Sequence, residues 1–317
     1  DSFIIQFTGN DTLELHLNGA ANLVTNTLFR DIGWYHILVS IDTSQAMTAD
    51  RSKVYINGEQ ITSFSSAAYP SKDSNIPGIS GQMTSSENMR IGNYNNAVSN
   101  FYFWNGYIAQ ACMIESKSIQ QGDFAVSDFL DTFTFGTNGS QVIPKKDSDI
   151  AALASAAGGN SFCLDFANSS DLGNDISSNN NDLTPTSMAA ANQSRNTPSN
   201  SYPILNVLDP TTATASSGNL NFAGPSADDK AAMRTTIGIP DNSGKFYFEY
   251  EMTGGSNDAL IFGIAGDGSV NDGYDDWMSD ITPSIGVYTE SGSNVLYEDG
   301  SQTSTSLFSS APSSGDI

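Results

Sequence analysis

Residues 33–43 read GWYHILVSIDT. At a period of two, Tyr35, Ile37, Val39 and Ile41 fall on one wholly apolar face, and Trp34, His36, Leu38, Ser40 and Asp42 fall on a mixed one. β-Branched and aromatic residues dominate the run, Gly33 precedes it and Asp42-Thr43-Ser44 follows it. The stretch therefore predicts a strand with one face in a core.

The same period recurs on either side. SFIIQF (2–7) sets Phe3, Ile5 and Phe7 inward, and TLELHLNG (12–19) sets Leu13, Leu15 and Leu17 inward with Glu14, His16 and Asn18 outward. KVYINGEQIT (53–62) carries Asn57-Gly58 between two short β runs, the dipeptide a type I′ hairpin turn prefers because both central residues need positive φ. NMRIGNY (88–94) and GYIAQACMIES (106–116) are strand-like, the second apolar on both faces and so expected at the centre of a sheet. KSIQQGDFAVSDFL (117–130) holds the nearest approach to a helical turn. Many short strands at this spacing predict an all-β protein of antiparallel sandwiches with little helix.

Residues 136–160, GTNGSQVIPKKDSDIAALASAAGGN, break the alternation with Gly, Ser, Ala and Pro-Lys-Lys. They read as a linker between a sandwich over 1–135 and a second over 161–317. The second opens at SFCLDF, with Phe162, Leu164 and Phe166 facing one way, and continues through YPILNVLD, GNLNF, GKFYFEYEMT, ALIFGIAG, SIGVYTE and NVLYEDG. No closing strand is expected in SSAPSSGDI (309–317). The chain opens on a strand without an initiator Met, so the expectation is a piece of something longer.

Over 317 residues the net charge is -23, from 12 Lys and Arg against 35 Asp and Glu. Such a surface repels phosphate backbones and anionic lipid, which excludes nucleic acid and membrane insertion as expected partners. Cys112 and Cys163 lie far apart, match no metal spacing and are expected as free thiols.

WYHILVSIDT, KVYINGEQI, MRIGNY and FWNGYIAQACMIESKSIQQGDF, taken in order, resemble the successive strands of a laminin-G-like, concanavalin A-type sandwich of bacteriophage tail-fibre and virion proteins, over about residues 1–131. SGKFYFEYEMTGG and ALIFGIAG are similar to the opening strands of a SPRY-type sandwich. The resemblance implies a first sandwich lacking its N-terminal strands, a second cut short at its C-terminus, and a virion location. It also implies attachment to host-surface glycan, partnership with other virion proteins, and a homotrimer, with binding rather than catalysis as the activity. A tailspike-like glycan hydrolase, an architectural shaft or capsid decoration, and a bacterial surface adhesin stay open as alternatives. A hydrolase would need carboxylates from separate strands gathered in one concave pocket.

NNAVSNFYFWNG (95–106) sets four aromatics in succession, and alternate members of a strand must leave the core. Tyr102, Trp104 and Asn105 are the candidate ligand-binding residues, able to stack on and hydrogen-bond a sugar ring, or else to be covered by a loop or another subunit. GDGSVNDGYDD (266–276) gathers Asp267, Asp272, Asp275 and Asp276 around glycines, hard oxygen donors of the kind Ca²⁺ takes. The EF-hand template fails there, because Asp272 stands where Gly is needed and Met278 where the closing Glu belongs. Ca²⁺ is the one cofactor left open.

Asp171, Asp175 and Asp182 in SSDLGNDISSNNND read as Asx turns. Glu249 and Glu251 would share a strand face roughly 6.6 Å apart, overlapping a glycosidase spacing, but they read first as an exposed face. His36 beside Trp34 reads as packing and His16 as a solvated face, since no nucleophile accompanies either.

Overall fold

The computed structural model describes residues 3–17, 21–30, 33–76, 89–96, 100–135, 139–209, 212–224, 231–239, 244–253, 260–266, 283–290, 293–299, 301–304, 307–308 and 315. Two compact units divide the chain, Asp1–Ser201 and Tyr202–Ile317. The described residues are all-β apart from one α-helix and three 3₁₀ turns, and every strand pairing is antiparallel. Among them no helix is long and apolar enough to cross a membrane.

In the first unit the strands are β1 (Phe3–Phe7), β2 (Thr12–Leu17), β3 (Asn22–Leu28), β4 (Ile37–Ile41), β5 (Ser52–Ile56), β6 (Glu59–Ile61), β7 (Phe64–Ala68), β8 (Asn93–Asn96), β9 (Asn100–Phe103), β10 (Ala111–Met113), β11 (Leu130–Phe135), β12 (Gly139–Pro144) and β13 (Phe162–Leu164), with the helix α1 (Asp147–Ala157) before the last. One sheet runs β1-β2-β3-β7 and another β4-β5-β6. Both feed one apolar core: Leu13, Leu15, Leu17 and Leu23 from the first, Val54 and Ile56 from the second, with Tyr35, Ile37, Val39 and Ile41 packed against them. The apolar face predicted for residues 35–41 is thus the face that meets the core. Each fully buried leucine contributes about 2 kcal/mol of hydrophobic stabilisation.

The Asn57-Gly58 turn joins β5 to β6 with φ of 50° and 84°, both positive as a type I′ turn requires. Ile5 departs from the expected inward set; it is 44% exposed, because β1 is the edge strand of its sheet. The segment Asn22–Leu28, not expected as a strand, is β3, and it buries Leu23 and Thr25.

The stretch expected as a linker is structured. β12 pairs with β11 along its length, and α1 buries Ile150, Ala151 and Ala154 against Phe129 and Cys163. α1 is alanine-rich, carries Asp147 and Asp149 where the helix dipole favours anions, and stops at Gly158 with φ 67°. β10 is a three-residue strand paired with β13 rather than the centre of a sheet. SFCLDF therefore closes the first unit instead of opening the second, and the division falls at residue 201 rather than within 136–160. The register sets Cys112 opposite Cys163, and the two form a disulfide, not free thiols.

The second unit contains the hairpin β14 (Thr214–Ser216) and β15 (Asn221–Ala223), and the meander β16 (Leu260–Ala265), β17 (Ser284–Glu290), β18 (Ser293–Glu298) and β19 (Ser301–Ser304). Three of these four meander strands match the predicted runs; β19 was not expected. Asp209 is buried and takes Arg234 Nη2 at 2.8 Å and the Arg234 backbone N–H at 2.7 Å. The strand expected over GKFYFEYEMT does not form: residues 244–253 pair with no strand, and Tyr250 stacks on Phe262 of β16 at 4.7 Å.

Candidate functional site

β8 and β9 form a hairpin in which Asn93 faces Phe103. The chain leaves it at Trp104, whose backbone N–H donates to the Gly92 carbonyl at 2.8 Å. The indole lies 5.2 Å from the Phe7 ring of β1; Phe7 meets Phe29 edge-on at 5.0 Å, and Phe29 meets Tyr35 at 5.1 Å. Trp104 is thereby braced through three aromatics to the core while staying 42% exposed. Each such contact adds on the order of 1 kcal/mol beyond burial, so the ring is held in place.

Gly106 folds against the indole edge. A Cβ there would stand 3.0 Å from Trp104 Nε1, a close contact that the indole would have to yield to by a few tenths of an ångström. Asn105 is exposed between them. Phe103, at 72% exposure, and Tyr107 and Ile108 extend the same stretch as exposed apolar side chains. A fixed aromatic plane beside amide and phenol groups can stack on the C–H face of a sugar and hydrogen-bond its hydroxyls.

Of the candidates from sequence, Trp104 and Asn105 are both exposed, next to one another along the chain. Tyr102 faces Tyr94 in the hairpin register, and its side chain lies outside the described residues. Phe103 belongs to the run of four aromatics and Phe7 to the inward set of β1, but neither they nor Tyr107 are in the ligand set expected from the sequence. Phe7 lies almost a hundred residues away, and no local pattern pairs it with Trp104. Asp267, Asp272, Asp275 and Asp276 all lie outside the described residues. Among the described residues no three His, Cys, Asp or Glu side chains form a group that could hold a metal.

Other polar groupings are accounted for by local bonding. Asp175 is buried and accepts from the Cys163 and Ser177 N–H groups at 2.9 Å each, from Ser177 Oγ at 2.8 Å and from the Asn181 N–H at 2.9 Å. Asp171 accepts from the Gly173 N–H and Asp182 from the Asp175 N–H. Asp171 and Asp175 form the expected Asx turns, each bonding the N–H two residues ahead, whereas Asp182 does not: it reaches back seven residues to close the loop, which also clamps β13. Burial opposes ionisation of Asp175, but these donors outweigh it and hold its carboxyl below the usual range.

Asp42, at the end of β4, is the hub of a second network. Its Oδ1 accepts from the Ser44 N–H at 3.0 Å and Ser44 Oγ at 2.6 Å; its Oδ2 accepts from Gln45 Nε2 at 2.6 Å and Gln121 Nε2 at 3.0 Å. Burial works against the anion, yet these donors bring its pKa down to about 2. Ser40 and Gln120 bond beside it, tying the 118–121 loop to β4.

His36 is largely buried, its Nδ1 has no partner among the described residues, and burial lowers its pKa, so the ring is neutral at pH 7. Its backbone pairs with Asn57, and it packs as expected. His16 lies on the outward face of β2 as expected, and there it stands 3.2 Å from Glu14, whose two oxygens accept from Gln6 at 2.7 Å and Asn22 at 2.5 Å. That acid is engaged on both oxygens by neutral amides. Glu249 and Glu251 are exposed on a segment that is not a strand, so the spacing argued for a shared strand face does not apply; Glu249 accepts from the Tyr247 hydroxyl at 2.5 Å.

Set against family models, curated proteins and solved structures, the chain matches none.

Proposed function

We propose that this chain is a binding segment of a phage virion appendage of the tail-fibre kind, built of β-sandwich modules and acting as a homotrimer that attaches to a host-surface glycan. The observation that carries the adhesive part is the braced, half-open indole of Trp104 beside Asn105, Phe103 and Tyr107. The disulfide supports an extracellular setting, where such bonds form and persist. The acidic surface supports a neutral glycan over an anionic one. The virion assignment and the trimer rest on the resemblance of the strand sequences.

A glycan array probed with the full chain tests the reading. Binding to a neutral glycan is expected to fall at least tenfold in Trp104→Ala and in Phe103→Ala, which leaves the Phe7 brace untouched, and to be partly retained in Trp104→Phe. A silent array, or binding indifferent to both alanine variants, would remove glycan attachment by this stretch. Sedimentation at the mass of one or two chains would remove the trimer.

A further inference from the structure

We propose that a cavity between the Asn57-Gly58 turn and the β11–β12 hairpin is a second binding site of the first unit, one that takes a neutral hexose-sized sugar. The inference rests on the glycan-binding reading above but concerns different residues. The cavity is a hollow open to solvent, with a volume of about 490 Å³. Val126, Leu130 and Val142 give it apolar surface able to meet the C–H groups of a pyranose. Glu59, Ser127 and Thr132 also line it, and among the described residues their side chains have no hydrogen-bond partner, which leaves acceptors and donors open to a ligand.

Its frame is fixed before any ligand arrives. The positive φ of Asn57 and Gly58 sets the turn, and the Asn57 Oδ1 and N–H bond the His36 backbone at 2.9 and 2.8 Å. A Cβ on Gly58 would stand 3.3 Å from Leu130 Cδ1, so turn and hairpin are in close contact. Across the cavity Lys145 Nζ donates to Asp131, and the Lys145 backbone N–H donates to the Phe129 carbonyl. A fixed backbone frame loses little freedom on binding.

The charge pattern selects the ligand class. Glu59 and Asp131 against Lys145 leave one negative charge in excess, on a chain already strongly acidic, which repels phosphate, sulfate and uronate. A metal ion would have to displace the Lys145 ammonium from Asp131. A neutral polyol offers a hydroxyl donor to each carboxylate and acceptors to the ammonium and the Ser and Thr hydroxyls.

The test is an amide shift titration of the ¹⁵N-labelled full chain with the methyl pyranosides of glucose, mannose and galactose, and with glucuronate. At least one neutral sugar is expected to move the amides of Gly58, Glu59, Leu130 and Thr132, and to do so in Trp104→Ala as well. Glu59→Gln is expected to weaken that binding about tenfold, because a neutral acceptor replaces an ionic one on an exposed side chain that makes no hydrogen bond among the described residues. Shifts confined to residues 103–108 would overturn this site while leaving the proposed Trp104 site standing. Silence at the turn and the hairpin with all three neutral sugars would overturn it too, as would glucuronate binding as well as glucose. Release of reducing ends from a neutral glycan, lost in Glu59→Gln, would overturn binding in favour of hydrolysis.

Discussion

Replacing Asp42 by Asn keeps the shape of the side chain and removes its charge, and the structure gives the cost. In the folded chain the carboxyl titrates at about 2 instead of 3.8, a difference of nearly two pH units. At 1.36 kcal/mol per unit, the ionised form is favoured in the fold by on the order of 2 kcal/mol. Because the folded pKa is depressed, this stability is fully present above pH 3.8 and is lost as the pH falls through about 2. Asn would also turn an NH₂ toward one of the donor sets, Ser44 or Gln45 with Gln121, so the neutral-pH loss should exceed the titration term. Urea unfolding of the full chain, followed at a series of pH values, should show the gap between parent and Asp42→Asn shrinking by about 2 kcal/mol from pH 5 to pH 2. The difference between the two proteins isolates Asp42 from Glu14, Asp175 and Asp209, whose carboxyls are also depressed. A gap that stays flat across that range, or a carboxyl ¹³C titration of Asp42 at 3.8 or above, would refute the network as drawn.

Two other outcomes follow from the first unit. Denatured, unreduced protein should show no titratable thiol and two after reduction; closing the 51-residue separation between Cys112 and Cys163 is worth about 4 kcal/mol in the chain-entropy account, so reduction should lower the urea midpoint, and two free thiols without reductant would contradict the pairing. Asp175→Ala strips the acceptor from three backbone N–H groups and one hydroxyl, with an expected loss of roughly 3–5 kcal/mol and faster amide exchange at Cys163, Ser177 and Asn181; a variant as stable as its parent would show that the clamp on β13 carries no weight.

How far the sequence reached can be judged element by element. Tyr35, Ile37, Val39 and Ile41 reach the core because strand geometry alone puts alternate residues on one face, and Asn57-Gly58 turns where it stands because those two residues accept positive φ. The Asx turns at Asp171 and Asp175 were legible for the same reason: a side chain bonding two residues ahead needs no distant partner. GKFYFEYEMT shows the limit of the rule, since its alternation is as regular as any and it forms no strand. A period-two pattern makes a segment able to pair, and a neighbour with open backbone groups must still be supplied.

The sequence by itself determined the all-β character, the strand faces of the first sheets, the Asn-Gly hairpin and the net charge of -23, because each follows from residues a few positions apart or from a sum over the chain. Only the tertiary structure decided that residues 139–164 belong to the first unit, that Cys112 lies opposite Cys163, that Asp42 gathers Gln121 from a loop 79 residues away, and that Phe7 braces Trp104. Those contacts depend on which segments meet after the chain has closed over many tens of residues, and local periodicity carries no record of that.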